Sequence, residues 1–248
     1  MGRRESVEKV GDVWSHQGTT ETQRIGLSYV PVETIVRSGQ TEIAIQKSGD
    51  SGFNIGGDVH GSDMMTDVFL LVDGVHQTLD TPSAEYRCDR LEMVQTSQMY
   101  DTDRVTAFAK RVTRWIFDRD GMRVRTRLMV EGTLEIATLY LAMLTLSRVA
   151  GSEQITSAAA RAPLWEIEDV SGEHPTLNSD SDAVKIWGPR YGIDMAVTAG
   201  WGDPDRRFWV NSGSERNKLY WDFGARVVAP GDVLISEFSV NITARAAE

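Results

Sequence analysis

Cysteine is almost absent from this chain of 248 residues, which contains only Cys88. A single cysteine cannot form an intrachain bridge, so a disulfide scaffold is excluded. Long apolar runs are also missing, because the densest stretch, Ile136–Leu146, is shorter than the roughly 18 apolar residues of a membrane-spanning helix. We therefore expect no membrane insertion.

Catalytic sequence motifs are missing as well. The chain has no phosphate-binding loop, no glycine-rich dinucleotide turn, no nucleophile elbow and no His-Glu-x-x-His zinc motif. No base lies beside Cys88, so we expect a buried, unreactive thiol. From these absences we expect no cofactor and no metal, and the sequence favours a non-enzymatic protein over an enzyme.

Length and charge describe a large acidic domain. A chain of this size can fold around one core without a metal or a disulfide. The formal net charge of −10 argues against general nucleic-acid binding, which needs a basic surface. Residues 1–24 are polar with scattered apolar positions, so we interpret them as an N-terminal arm or linker. Residues 25–248 are predicted to form a single β-sandwich domain.

Apolar and polar residues alternate in many short segments, which is typical of strands with one buried face. The apolar run Val68–Val72 precedes Asp73-Gly74, which predicts a hairpin with a type I′ turn and a first strand buried on both faces. Residues 105–116 also fit helical spacing, but a strand is favoured there. For residues 136–146 strand and helix stay open, and residues 157–162 fit a short helix or a loop. The predicted fold class is mainly β: a large antiparallel sandwich with few short helices.

A second hairpin is predicted around Asp120-Gly121. If these two residues form the turn, Phe117 faces Val124. The other face then carries charged side chains, namely Arg114, Arg125 and Arg127, with Asp118 opposite Arg123. A three-residue turn would shift this register by one residue and stays open.

The arginines of this hairpin are candidates for ligand binding. Residues 104–127 hold eight basic and two acidic side chains, so they carry +6 while the rest of the chain carries −16. Guanidinium groups at every second strand position can bind carboxylate or phosphate groups. The set comprises Arg123, Arg125 and Arg127, with Arg111 and Arg114 on the preceding segment. We select Arg125 and Arg127; the alternative is a solvated face that is paired with acidic strands or with another subunit.

A glycine-rich segment, residues 48–61, is predicted to be a loop because it has five glycines in fourteen positions. It places His60 between Asp58 and Asp63. These groups could bind a ligand or a cation, or a carboxylate could orient His60 as a general base. The alternative is simple hydrogen bonding to nearby backbone. We take His60 and Asp63 as ligand-binding candidates and predict no metal, since no second His or Cys lies nearby.

Aromatic residues concentrate in the last third, where five of the seven tryptophans lie between Trp165 and Trp221. Exposed rings can stack on sugar faces, whereas most large aromatics fill sandwich cores. Trp201 opens a polar loop and is therefore difficult to place in a core. Trp201 and Trp209 are the candidates for ligand contact.

Several short motifs together resemble a β-rich module of bacteriophage tail and virion-associated proteins. They are His60-Gly61 in its glycine-rich loop, Val68–Gly74, Gln95–Ser97, the paired segment Arg104–Val130, Tyr140-x-x-Met143-Leu144, Asn217–Tyr220 and Gly231–Val233. Such modules look like supersandwiches, similar in shape to galactose-mutarotase-like and polysaccharide-lyase domains. One departure is that the acid after His60-Gly61 stands one residue late, at Asp63.

The resemblance implies a virion component, in a tail tip, fibre or baseplate, and often a homotrimer. Its expected partners are a host cell-surface saccharide and other virion proteins, without nucleic acid. One alternative is a polysaccharide lyase or hydrolase, with His60 or Tyr140 as base and Arg125 or Arg127 neutralising a uronate carboxylate. Another is a capsid decoration protein.

Overall fold

A computed structural model describes the backbone and side chains of residues 43–56, 63–77, 88–144, 181–187, 192–199 and 219–241, and the backbone alone of the other strand residues. The strands, in chain order, are β1 (Arg4–Val10), β2 (Val13–Thr19), β3 (Gln23–Leu27), β4 (Val32–Val36), β5 (Ala44–Lys47), β6 (Ile55–Gly56), β7 (Asp63–Val72), β8 (Val75–Gln77), β9 (Ser83–Arg87), β10 (Leu91–Tyr100), β11 (Ala107–Asp118), β12 (Gly121–Val130), β13 (Leu134–Ser147), β14 (Ser157–Arg161), β15 (Trp165–Asp169), β16 (Leu177–Ser179), β17 (Ala183–Trp187), β18 (Tyr191–Ala199), β19 (Arg207–Ser212), β20 (Arg216–Asp222), β21 (Arg226–Val228) and β22 (Val233–Ala244).

Two large antiparallel sheets contain most of these strands. The ten-stranded sheet has the order β15-β14-β17-β18-β22-β12-β11-β10-β7-β8. The seven-stranded sheet has the order β16-β19-β20-β13-β5-β6, with β21 also paired to β13. The predicted mainly β fold with large antiparallel sheets is confirmed. The prediction of a few short helices is wrong for the described residues, which contain no helix. The described residues therefore include no helix that could span a membrane.

The segments with open interpretations are all strands. Residues 105–116 lie largely in β11, and residues 136–146 lie in β13. The short helix or loop predicted for residues 157–162 is wrong, because Ser157–Arg161 forms β14, which is paired on both sides by β15 and β17.

The hairpin at Asp73-Gly74 is confirmed. Asp73 and Gly74 have φ angles of 48° and 82°, as a type I′ turn requires. The prediction that its first strand is buried on both faces is wrong, because between Val68 and Val72 only Leu70 is fully buried. Phe69 and Leu71, which face away from the core, are only half-buried, so the outer face of this strand is only partly covered.

The segment predicted as an arm contains strands in the structure. β1 pairs with β2, and β2 pairs with β9, which joins this segment to Ser83–Arg87. The domain boundary at residue 24 stays a prediction.

The core lies between the inner faces of the two large sheets. Its largest fully buried side chains are Trp221, Phe117, Phe223 and Phe238. Trp221 from the seven-stranded sheet stacks on Phe238 from the ten-stranded sheet, with ring centroids 6.4 Å apart. The Ser236 hydroxyl donates to the Leu141 carbonyl across the same interface at 2.8 Å, so a buried polar group is satisfied between the sheets.

Gly121 holds the β11–β12 hairpin against β22. Its φ of +117° is a conformation that residues with a side chain rarely adopt, and a Cβ atom there would lie 2.3 Å from the Val240 carbonyl oxygen. Gly231 has a similar φ of +97°, but a Cβ atom there would meet nothing within 4 Å. Comparing substitutions at the two glycines therefore separates the cost of a positive φ from the cost of a Cβ atom that overlaps β22.

We predict that Gly121→Ala destabilises the protein more than Gly231→Ala. Both variants bear the cost of a positive φ, about 1–3 kcal/mol, but only Gly121→Ala must also push β22 away from β12. Chemical denaturation of both variants, monitored by tryptophan fluorescence, measures the two free energies of unfolding. Equal losses would show that the close approach to Val240 does not constrain the fold.

An ion pair ties the two large sheets together near the end of β10. The Lys47 ammonium donates to both Asp101 carboxylate oxygens, at 2.9 and 3.2 Å, and the Thr102 backbone N–H donates to the same carboxylate at 2.6 Å. Partial burial by itself raises the pKa of Asp101. The Thr102 and Lys47 contacts outweigh it, so the pKa lies below its ordinary value of 3.8.

We predict that the Asp101→Asn variant is less stable than the wild type at neutral pH. The difference between their free energies of unfolding should become smaller as the pH falls. Because the folded-state pKa of Asp101 is lowered, the carboxylate contributes stability above pH 3.8, and this contribution is lost as the pH falls through the folded-state pKa. At neutral pH the loss should be below about 1 kcal/mol, since the pair is partly exposed. Urea unfolding at pH 7 and at pH 3 measures the difference, and a constant difference would contradict the assignment.

Candidate functional site

Four arginines share the outer face of the ten-stranded sheet, and we call this surface the arginine face. β12 alternates strictly: Met122, Val124, Thr126 and Leu128 are buried, while Arg123, Arg125 and Arg127 are exposed. On β11 the exposed Arg114 lies directly opposite Arg125 in the strand register. The predicted grouping of Arg114, Arg125 and Arg127 on one face is therefore confirmed.

The turn that produces this face differs from the predicted one. Asp118 pairs with Gly121, so the turn residues are Arg119 and Asp120, and Phe117 faces Met122 rather than Val124. The predicted register is wrong by two residues, and a shift of two leaves every side chain on its own face. Asp118 is consequently not opposite Arg123, although its carboxylate still reaches the Arg123 guanidinium at 3.0 Å.

Two acidic side chains flank the central pair of arginines. Glu92 on β10 is buried; it accepts a hydrogen bond from Arg90 at 2.8 Å and lies 3.4 Å from Arg114 Nε. Glu237 on β22 accepts a hydrogen bond from the Thr198 hydroxyl at 3.3 Å and lies 3.8 Å from Arg125 Nε. The structure therefore shows part of the alternative interpretation, because acidic side chains of neighbouring strands approach two of the arginines. The two contacts with the central arginines are long compared with tight charge-assisted hydrogen bonds of about 2.8 Å.

Arg127 differs from the other three arginines because no described residue forms an ion pair with it. Its neighbours across the two strand pairs are Val112 and Ile235, both half-buried. Val94 is 5% exposed beside Arg114 in the register of β10 and β11. The arginine face therefore combines exposed guanidinium groups with an apolar floor.

Asp63 does not join this face. It lies opposite Met99 on the inner side of the sheet, where its side chain is 2% exposed and meets Arg111 at 2.6 Å. The prediction that Arg111 belongs to the exposed set of arginines is wrong. Arg111 precedes Arg114 by three positions on the same strand, so its side chain points to the opposite face. This side chain is only 6% exposed. The structure thus uses Arg111 to neutralise a buried carboxylate.

A β-bulge explains why Asp63 faces inward. Val68, Leu70 and Val72 lie opposite the inward-facing residues of β10, and strict alternation from them would turn Asp63 outward. The register shifts by one residue at Thr66, between the pairs Thr96–Asp67 and Ser97–Met65. The extra residue reverses the orientation of everything before it. No local sequence signal marks this bulge.

Three of the predicted ligand residues lie outside the described side chains. His60 and Trp201 are not among the described residues, and the same holds for Asp58. Trp209 belongs to β19, of which the structure describes only the backbone. These predictions, together with the ligand role of Asp63, stay predictions. Among the described side chains, no group of three or more His, Cys, Asp or Glu is arranged to hold a metal ion.

Two other aromatic residues of the last third have structural positions. Trp221 is fully buried in the core, and Tyr220 is 7% exposed in a separate cluster on the outer side of the seven-stranded sheet. Cys88 is half-buried and packs against the main core. The abundance of aromatics in the last third thus reflects packing for these two residues.

Sequence reasoning missed Glu92, Glu237 and Arg90 as members of the site. Glu92 and Glu237 belong to strands other than the predicted hairpin, and Arg90 directly precedes β10. β22 begins more than 100 residues after β12 in the chain. The alternation of β22 could have placed Glu237 on an outer face. Nothing in the sequence specifies that β22 lies beside β12.

Comparison with known proteins finds similarity only at the level of structure. No family model and no curated protein sequence matches the chain. A proposed aldose 1-epimerase from Escherichia coli K12 is 12% identical with a TM-score of 0.48, and the match covers 98% of this chain and all of the other. A galactose mutarotase-like protein from Lactobacillus casei is 7% identical with a TM-score of 0.42, covering 96% of this chain and all of the other. These similarities establish neither a family nor an activity, and neither protein is described as a virion component.

We predict that Arg111→Gln and Arg125→Gln have very different effects on stability. Removing Arg111 leaves the buried Asp63 carboxylate without its guanidinium, which typically costs about 3–5 kcal/mol. Removing the exposed Arg125 should cost less than about 1 kcal/mol. Denaturant unfolding of the two variants measures both losses. Similar values would mean that the Asp63–Arg111 contact does not neutralise a buried charge.

Proposed function

We propose that this protein is a non-enzymatic binding module that binds an acidic saccharide on its arginine face. The observation that carries the proposal is the exposure of four guanidinium groups on one sheet face of a chain with a net charge of −10. Arginine forms paired hydrogen bonds with carboxylate, sulfate and phosphate groups. An acidic saccharide supplies such groups at regular intervals.

The apolar floor supports a saccharide over a small inorganic anion. The half-buried Val112 and Ile235 lie on either side of Arg127 in the strand register. Binding sites for small organic molecules combine apolar surface with a few well-placed polar groups. The C–H faces of a sugar ring can rest on these side chains while its charged substituent reaches Arg127.

The net charge of the chain supports a short-range mode of binding. An acidic protein repels a polyanion at long distance, and the local positive field extends only about 8–10 Å at physiological salt. Affinity must therefore come from contacts on the arginine face rather than from long-range attraction. Several copies of the chain in one assembly would increase avidity.

The degrading-enzyme alternative receives no support from the position of Tyr140. Tyr140 is 8% exposed on the outer side of the seven-stranded sheet, where it stacks with Phe53 at 5.0 Å and contacts Tyr220 at 4.9 Å. The whole sandwich separates it from Arg125 and Arg127. A base at Tyr140 cannot act on a ligand held by those arginines.

The biological setting that we propose is attachment of a virion to a host surface. It follows from the sequence resemblance, as do the homotrimer and the contacts with other virion proteins. Saccharide binding by the arginine face is compatible with a tail tip, a fibre or a baseplate. The decoration-protein alternative would not need this binding.

We predict that the wild type binds polygalacturonate and dextran sulfate but not neutral dextran. Arg127→Gln should weaken binding to the acidic polymers by about tenfold, because one charge-assisted hydrogen-bond pair is lost. Arg127 is suitable because its replacement leaves no described acid unpaired. Calorimetric titration or immobilised-ligand binding at fixed ionic strength measures the affinities.

The matched control is Arg119→Gln, which removes the same charge from the exposed turn of the hairpin. It should leave affinity within about twofold of the wild type if contact, and not net charge, determines binding. Equal binding to neutral and acidic polymers, or equal losses in the two variants, would overturn the proposal.

A further inference from the structure

We propose that Arg114 and Arg125 form a clamp for one three-oxygen oxyanion, a sulfate or phosphate ester on the saccharide. The inference deepens the proposed function and, for the saccharide, rests on it. The two arginines are directly opposite in the β11–β12 register and are 46% and 58% exposed. Like charges in this position repel each other unless something neutralises them.

The flanking acids neutralise the arginines only from the outside. Glu92 lies on β10, beyond Arg114, and Glu237 lies on β22, beyond Arg125, so the two arginines occupy the two middle strands. Each acid approaches the Nε edge of its arginine, at 3.4 and 3.8 Å. In the proposed clamp, the terminal nitrogens of both guanidinium groups donate to the anion from two adjacent strands.

The acids are also shared among more arginines than they can neutralise. Glu92 accepts its shortest contacts from Arg90, at 2.8 Å, which leaves Arg114 with the longer one. Arg90, Arg114 and Arg125 thus share the two carboxylates Glu92 and Glu237, and no described residue forms an ion pair with Arg127 on the same face. A bound anion would remove the remaining excess of positive charge.

The number of donors favours a sulfate or phosphate ester over a carboxylate. Two guanidinium groups offer a pair of terminal nitrogens each, arriving from two different strands. A carboxylate presents two oxygens in one plane, and one bidentate arginine already occupies that edge. A sulfate or phosphate ester presents three terminal oxygens in different directions, so both arginines can bind it at once.

A double-mutant cycle with two ligands tests the clamp. Arg114→Gln and Arg125→Gln should each weaken binding of dextran sulfate by about tenfold, and the double variant should lose little more than either single variant, because one oxyanion needs both partners. Polygalacturonate affinity should fall less, so the sulfate-to-carboxylate selectivity drops. Arg114→Lys keeps the charge but loses the fork, and should recover only part of the selectivity. Arg119→Gln is the charge-matched control.

Phosphorylated mannan, measured in parallel, separates the two esters: stronger binding than dextran sulfate assigns the clamp to phosphate, and weaker binding assigns it to sulfate. Independent losses in Arg114→Gln and Arg125→Gln, or an unchanged selectivity, would overturn the clamp. The proposed function fails separately, if the wild type binds no acidic polymer. In that case sodium sulfate, compared with sodium chloride at equal ionic strength, should still raise the melting temperature of the wild type more than that of the double variant, and equal shifts would overturn the clamp as well.

Discussion

The pairing of β11 with β12 determines which side of the ten-stranded sheet is buried and which is charged. In this pair Trp115 lies beside Val124 and Phe117 beside Met122 on the core side, while Arg114 lies beside Arg125 on the other. A slip of one residue would place arginines in the core and aromatic rings in water. The close approach of Gly121 to β22 also depends on this register.

Arg111 and Arg114 show that the position of a residue on a strand determines its burial more than its residue type does. The two arginines are three positions apart on one strand, and one is buried against Asp63 while the other is nearly half exposed. A buried arginine requires a partner because an uncompensated charge in the core is costly. An exposed arginine does not, so it can remain available to a ligand. Whether an arginine of this strand is available to a ligand therefore depends on its exposure to solvent as well as on its residue type.

Much of the fold follows from period-two patterning, and the limits of that approach are local. Alternation correctly assigned the faces of Arg114, Arg125 and Arg127. The turn was misplaced by one residue, which shifts the pairing register by two, and an even shift of the register preserves the faces. It could not place Asp63, since the bulge at Thr66 inserts one residue and reverses the face. Nor could it tell a short helix from a central strand at Ser157–Arg161, where the pairing of two neighbouring strands decides the outcome.

The site depended on long-range pairing that sequence patterns do not encode. Glu237 comes from a strand more than 100 residues away from β12, and Glu92 comes from the other side of β11. Their carboxylates contact Arg114 and Arg125 at Nε, at 3.4 and 3.8 Å. In the proposed clamp, the terminal nitrogens of the two arginines bind the anion. In that clamp, selectivity for an anion depends on Glu92 and Glu237, which do not touch it, and on the order of the four neighbouring strands β22, β12, β11 and β10.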